Sequence, residues 1–165
     1  MSLLNTPFGQ LDAFNVIVEI PQGSNEKFEL DENTGEMKVN FVFRDLTFPF
    51  NYGFIAQTLG GDNDPLDAIV LSSEILKSGQ VVECKAVGIL KTLDRGEIDD
   101  KVICVPLNDE LSEKYHDTPD LPPDFLKIWT DFYMELARQK EKVVKVLGLK
   151  NKQVALEEIK KSLLK

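Results

Sequence analysis

The chain has 165 residues and a net charge of -9, with a sequence pI of about 4.7. Apolar residues make up 42% and charged residues 28%, which is ordinary for a globular protein, and the length suits a single domain over residues 1–165. The negative charge argues against a nucleic-acid or anionic-membrane partner, because phosphate groups attract basic surfaces. It leaves open a small phosphorylated ligand that binds together with metal ions.

The two cysteines, Cys84 and Cys104, lie in predicted strands. Buried free thiols in a reducing compartment are the simplest expectation for them. The first residues carry no basic region followed by an apolar stretch, and no apolar run approaches the ~18 residues that a membrane span needs. We therefore expect a cytoplasmic protein.

The first two thirds of the chain are predicted to be β-structure. Alternating apolar residues predict a strand over 14–20. The turn residues Asn33, Thr34 and Gly35 predict a hairpin that joins strands over 27–30 and 36–43. Short runs rich in valine and isoleucine predict further strands over 68–71, 80–90 and 101–105.

The last third changes to a helical period. Two prolines at 122–123 suit the first turn of a helix, and apolar residues then recur at helical spacing from Phe125 to Leu136. A short strand over 143–146 is expected to end by Gly148, and Asn151 is expected to cap a final helix that carries Val154, Ile159 and Leu163. Short strands followed by helices predict an α+β fold, mainly β, with helices packed outside a barrel.

Three aspartates, Asp62, Asp64 and Asp67, crowd around Pro65 in the most informative segment of the chain. Carboxylates this close repel one another unless a cation lies among them, and magnesium prefers such oxygen ligands. A surface turn explains the same residues, because Gly, Asp, Asn and Pro favour turns for local reasons. The spacing alone leaves both interpretations open.

Two further groups of charged residues follow the same logic. Asp94, Asp99 and Lys101 lie near one predicted strand edge, where a lysine beside acidic residues suits an anionic substrate, although an exposed acidic hairpin is the plainer interpretation. Lys27 and Glu29 share a strand face, which is also compatible with a simple cross-strand ion pair.

The segment Asp62-Asn63-Asp64-Pro65-Leu66-Asp67-Ala68 resembles the signature of the soluble family I inorganic pyrophosphatases. The segments 18–21, 27–31, 49–55 and 87–90 fall in the order and spacing of that family, and the resemblance covers roughly residues 1–146. It implies an OB-like five-stranded β-barrel with flanking α-helices, several Mg²⁺ ions, and hydrolysis of pyrophosphate to two phosphates. It also implies a homo-oligomer, commonly a hexamer in bacteria.

The resemblance assigns a role to each matched position. Asp62, Asp67 and Asp99 would form the tight metal site, Asp94 would join Asp99 at further metals, and Glu19 would hold a metal that arrives with the substrate. Asp64 would orient or deprotonate the attacking water. Phosphate oxygens would contact Lys27, Lys101 and Tyr52, and Glu29 would support the metal-bound waters.

The chain departs from the family on the phosphate side. The family's phosphate-binding arginine falls at Asn40 or Phe41, with Arg44 close by, and Phe48 replaces a tyrosine. The family's Tyr-Lys pair falls at Glu135-Leu136, with Tyr133, Arg138 and Lys140 on other parts of the helical circle. An arginine that binds with two parallel hydrogen bonds is not replaced by the nearest cation. A diverged protein that binds metal and a phosphorylated ligand without useful turnover is therefore the alternative function, and an OB-like nucleic-acid binder is disfavoured by the acidic charge.

Overall fold

The computed structural model describes residues 2–164 and is mainly β. In chain order the strands are β1 (Gly9–Gln10), β2 (Ala13–Ile20), β3 (Glu26–Leu30), β4 (Met37–Val42), β5 (Asn51–Ile55), β6 (Asp67–Val70), β7 (Val81–Asp94), β8 (Glu97–Ile98), β9 (Lys101–Pro106) and β10 (Val144–Asn151). The α-helices are α1 (Phe125–Gln139) and α2 (Lys152–Ser162). No helix among residues 2–164 has the length and apolar character to cross a bilayer.

Five strands close into a barrel. β2 pairs with both β5 and β7, β5 pairs with β6, β6 runs parallel to β9, and β9 pairs with β7. β10 extends this sheet by pairing with the second half of β7, while β3 and β4 form a separate hairpin. The predicted mainly β fold, with a five-stranded barrel and flanking helices, is confirmed.

Gly53 on β5 allows the barrel to close tightly. A Cβ atom at this position would lie 2.0 Å from the carbonyl oxygen of Ile17 on β2, which is far inside van der Waals contact. Because that neighbour is backbone, it cannot rotate away as a side chain could. Only glycine permits β2 and β5 to approach this closely.

Both faces of β6 and β9 are buried. Side chains alternate along a strand, so Ile69 and Ile103 join the apolar cluster that contains Trp129 of α1. Their neighbours Ala68 and Val102 join a second cluster, which contains residues of α2. This two-sided burial explains why residues 101–106 are all buried, and it leaves Lys101 as a charged residue within a core strand.

The structure extends two predicted strands: β7 continues past residue 90 to Asp94, and β10 continues past Gly148. β10 does not end at Gly148 but continues to Asn151, and its register against β7 shifts between Val146 and Gly148. Gly148 has φ +127, a conformation that glycine adopts readily, so the residue produces a bulge and not an end. Asn151 does cap α2 as predicted, since its Oδ1 accepts a hydrogen bond from the backbone N–H of Val154 at 3.1 Å.

Candidate active site

One cavity of about 610 Å³ collects every site residue that the sequence singled out. The residues come from β2, β3 and β5, from the loop before β6 and the first residue of β6, from the end of β7, and from the segment between β8 and β9 with the first residue of β9. They are Glu19, Lys27, Glu29, Tyr52, Asp62, Asp64, Asp67, Asp94, Asp99 and Lys101. The structure therefore brings together residues that are distant in sequence.

Lys101 lies at the buried centre of this cavity, with only 2% of its side chain exposed. Its Nζ lies 3.0 Å from Asp67 Oδ2, 3.1 Å from Asp99 Oδ2 and 2.7 Å from the hydroxyl of Tyr52. The parallel register of β6 and β9 places Asp67 opposite Lys101, and Asp99 is two residues earlier. Burial alone would lower the pKa of Lys101, but Tyr52 and the two carboxylates raise it, so the side chain is an ammonium.

Aromatic side chains form the wall behind this ion cluster. The Tyr52 hydroxyl donates to Asp67 Oδ2 at 2.8 Å, and its ring stacks on Trp129 at 5.6 Å between centroids. Tyr133 donates to Asp99 Oδ2 at 3.4 Å. Burial and the neighbouring Asp99 raise the pKa of Asp67 to about 6, although Lys101 and the Tyr52 hydroxyl act in the opposite direction.

The loop that carries Asp62 and Asp64 is both a turn and part of the cavity wall. The backbone N–H of Asp64 donates to Asp62 Oδ1 at 3.0 Å, and Asn63 adopts φ +65. Asp64 itself is exposed, and its carboxylate makes no hydrogen bond or ion pair within residues 2–164. The predicted turn is therefore present and places both carboxylates on the cavity wall, while their part in metal binding and catalysis stays a prediction.

Asp94 is held by a lysine that the sequence analysis did not single out. Lys142 Nζ lies 2.6 Å from Asp94 Oδ2, and both side chains are largely buried. The pairing of Val144 with Asp94 in β10 and β7 brings the two together. No local sequence pattern predicts this ion pair, because its two residues are 48 positions apart and meet only through the register of β10 against β7. Asp94 Oδ1 is buried and lacks a hydrogen-bond partner in the described part of the chain.

Glu19, Lys27 and Glu29 complete the cavity on the side of the β3–β4 hairpin. Glu19 Oε2 accepts a hydrogen bond from the backbone N–H of Leu30 at 3.2 Å, yet burial and the nearby Asp67 raise the pKa of Glu19 to about 8. The cross-strand ion pair considered for Lys27 is absent from residues 2–164, where no carboxylate oxygen lies within 4.0 Å of its Nζ. Glu29 instead accepts a hydrogen bond from Asn40 at 2.8 Å.

The positions that depart from the family pattern have structural roles. Phe48 is buried, and its ring packs against Phe132 at 4.6 Å between centroids. Glu135 forms a bidentate ion pair with Arg138, with N···O distances of 2.6 and 2.7 Å, and this pairing lowers the pKa of Glu135 to about 2. Arg44 is exposed, and its backbone is bound by Gln139 at the end of α1. None of these polar side chains lines the cavity, whereas Leu136 does.

The cavity has the chemistry of a divalent-cation site, although its side chains are arranged around Lys101. Among residues 2–164, no three His, Cys, Asp or Glu side chains are close enough to hold a metal ion as they stand. The ammonium of Lys101 accounts for this, because Asp67 and Asp99 both turn towards it. The donors are all carboxylate oxygens. Within residues 2–164, Asp94 Oδ1 has no hydrogen-bond partner, and the half-buried Glu19 has no cation within 4.0 Å. These properties fit a hard cation, and convergence of Asp62, Asp67 and Asp99 on one ion stays a prediction.

Comparison with known proteins gives a consistent result. The family model described as inorganic pyrophosphatase matches residues 16–165. An inorganic pyrophosphatase from Aquifex pyrophilus is 42% identical over 153 residues, which is 90% of this chain and 86% of that protein. A solved inorganic pyrophosphatase from Thermus thermophilus superimposes with a TM-score of 0.92 at 35% identity, covering 99% of this chain and 97% of that one. One from Helicobacter pylori gives a TM-score of 0.90 at 34% identity, covering 98% and 97%.

The family match spans most of the chain, and the relatives exceed 30% identity over nearly their full length. The five-stranded barrel of the structure agrees with this match. The chain belongs to the inorganic pyrophosphatase family, whose members depend on metal ions.

Proposed function

We propose that this protein hydrolyses inorganic diphosphate to two phosphates, using Mg²⁺ bound in the carboxylate cavity. The observation that carries the proposal is the convergence of seven predicted site carboxylates and Lys101 in one cavity of an inorganic pyrophosphatase fold. Pyrophosphate is strongly anionic and repels a nucleophile, so its hydrolysis requires positioning and charge stabilisation. The cavity supplies carboxylates for metal ions and cations for phosphate oxygens.

The carboxylates divide between metal binding and proton transfer. Asp62, Asp67 and Asp99 would hold the tightly bound metal, while Asp94 would serve further metals and Glu19 one that arrives with the substrate. Bound divalent cations would lower the pKa of the attacking water and stabilise the attacking and leaving oxygens. This assignment is supported by the all-oxygen donor set and by the buried, unpartnered Oδ1 of Asp94.

Asp64 is the proposed base for the attacking water. Its carboxylate lines the cavity but is engaged by no side chain within residues 2–164, so it is free to accept a proton. The water oxygen bonds to one phosphorus, the bridging P–O bond breaks, and the bridging oxygen leaves with the other phosphoryl group. Lys27, Tyr52 and Lys101 would bind phosphate oxygens, and Glu29 would orient water.

We further propose that residues 1–165 act as one domain in a homo-oligomer, a hexamer by family resemblance, in the cytoplasm. The two buried free thiols, Cys84 and Cys104, support a reducing compartment. The alternative, a diverged protein that binds metal and a phosphorylated ligand without turnover, is not favoured. The proposed base and all the proposed metal-binding carboxylates are present in one cavity.

A phosphate-release assay tests the proposed function. Wild-type protein with Mg²⁺ should release two phosphates per pyrophosphate and should act on pyrophosphate far faster than on other phosphoanhydrides. Asp99→Asn should lose most of this activity, because it removes a metal ligand that also pairs with Lys101. Asp131→Asn, at an exposed pair on α1, is the matched control and should remain active. Metal-dependent binding without phosphate release would favour the alternative.

A further inference from the structure

A group of cations with few partners borders the carboxylate cavity. Lys27, Arg95 and Lys142 line the cavity, and Lys140 lies close enough to them to feel their charge. They come from three separate parts of the fold: β3, the turn between β7 and β8, and the segment between α1 and β10. Elements distant in sequence thus place three cations on the cavity wall, and Lys140, the residue after α1, lies two positions before Lys142 in the same segment.

These cations have too few carboxylate partners to be neutralised internally. Lys142 is fully engaged with Asp94 at 2.6 Å, and Arg95 Nε reaches the other oxygen of Asp94 only at 4.0 Å. Across residues 2–164, neither Lys27 nor Lys140 has a carboxylate oxygen within 4.0 Å of Nζ. Lys27 and Lys140 therefore have no ion-pair partner among the described residues, and an anion in the cavity could pair with them.

The backbone fixes Arg95 at the cavity. Arg95 lies in the tight turn after β7 with φ +53, and its backbone N–H donates to the carbonyl of Val143 at 2.9 Å. That bond ties its turn to the segment that carries Lys142. The Arg95 side chain is 66% exposed, so the guanidinium is free to bind a ligand with its planar set of donors.

Lys140 is a half-buried cation that is repelled by neighbouring cations. It ends α1, is half-buried, and its Nζ lies 5.5 Å from the ring centroid of Phe41. Burial, together with Lys27, Lys142 and Arg95, lowers the pKa of Lys140 to about 8, and only Glu29 acts in the opposite direction. A negatively charged ligand would relieve this repulsion.

We propose that Arg95 and Lys140 bind the oxygens of one phosphoryl group of metal–pyrophosphate. This inference rests on the proposed function, and it adds two substrate-binding residues to those expected from the family pattern. Arg95 supplies planar donors to the phosphoryl oxygens, and Lys140 supplies a point charge on the rim. The chain thereby restores cationic recognition on its phosphate side, where Asn40, Phe41 and Glu135 offer none.

The test measures binding separately from turnover, with imidodiphosphate, a pyrophosphate analogue whose bridging nitrogen resists hydrolysis. Calorimetry with Mg²⁺ should show that Arg95→Gln and Lys140→Gln each weaken analogue binding about tenfold, the lower range for a hydrogen bond to a charged group. Arg95→Lys should recover part of the loss. Lys145→Gln removes an exposed cation of β10 outside the cavity and should bind as wild type does.

The kinetic readout should match. Arg95→Gln should raise KM for Mg²⁺–pyrophosphate about tenfold while kcat and Mg²⁺ affinity without analogue stay near the wild-type values. Unchanged analogue affinity in an active enzyme would overturn this inference and leave the proposed function standing. An equal loss in Lys145→Gln would overturn it too, because bulk charge would then explain the effect. Weakened analogue binding in a protein without hydrolysis would support the inference while the proposed function failed.

Discussion

Replacing Lys101 by methionine tests whether its ammonium is the internal cation of the carboxylate cavity. Lys101→Met keeps a long side chain but leaves Asp67 and Asp99 facing each other in a buried site. Removing one partner of a buried ion pair costs about 3–5 kcal/mol, because the remaining charge is desolvated and unpaired. For a chain of this size we expect the melting temperature to fall by roughly 6–20 °C.

The assay is thermal unfolding with and without Mg²⁺. In the variant, Mg²⁺ should recover more stability than it adds to the wild type, because a divalent cation can pair with the same two carboxylates. Lys127→Met breaks the exposed Lys127–Asp131 pair on α1 and should change stability by about 0.5 kcal/mol or less. If Lys101→Met lost no more stability than this control, or if Mg²⁺ raised its melting temperature no more than that of the wild type, Lys101 would not be the internal cation of the cavity.

Three further predictions concern the rim, the barrel and a helix cap. The affinity of the wild type for imidodiphosphate should fall as pH rises through about 8, because Lys140 loses its proton there. Lys140→Arg stays charged over this range and should not show that fall in affinity. Comparing the two proteins at each pH cancels the ionisation of the analogue. Gly53→Ala should destabilise by about 3 kcal/mol or more in denaturant unfolding, because its Cβ would meet backbone at 2.0 Å. Gly61→Ala, whose nearest neighbour would lie at 4.0 Å, should be close to neutral. Asp117→Ala should lower the free energy of unfolding by about 0.5–2 kcal/mol in denaturant unfolding, because Asp117 Oδ1 accepts a hydrogen bond from the first backbone N–H of α2 at 2.9 Å. Asp124→Ala is the control and should lower it less, because Asp124 is an N-cap without a side-chain hydrogen bond.

Much of the fold could be predicted because local chemistry and tertiary structure agree. Asn151 caps α2 in the structure, as its position before an apolar helical period predicts. The end of β10 could not be predicted, because Gly148 is compatible with both a strand end and a bulge. Only pairing with β7 decides between the two, and that partner lies far away in sequence.

The same division holds for the site. The segment that carries Asp62, Asp64 and Asp67 is local, so its sequence predicts a turn or a metal site, and the family resemblance favours the metal site. The ion pair of Lys142 with Asp94 and the position of Lys140 depend on how β10 pairs with β7 and packs against α1. No local pattern marks such residues, and the family pattern does not include them.

The most direct test of Asp64 as the base for the attacking water is phosphate release from pyrophosphate by Asp64→Asn, with Mg²⁺ binding measured on the same protein. The substitution keeps nearly the same volume and removes only the proposed base. We expect the hydrolysis rate to fall by about 10²–10⁴-fold, the usual worth of a general base, while Mg²⁺ binding is largely retained. Asp67→Asn should instead weaken Mg²⁺ binding itself. A fully active Asp64→Asn, or one that lost its metal while Asp67→Asn kept it, would contradict the proposed division of roles.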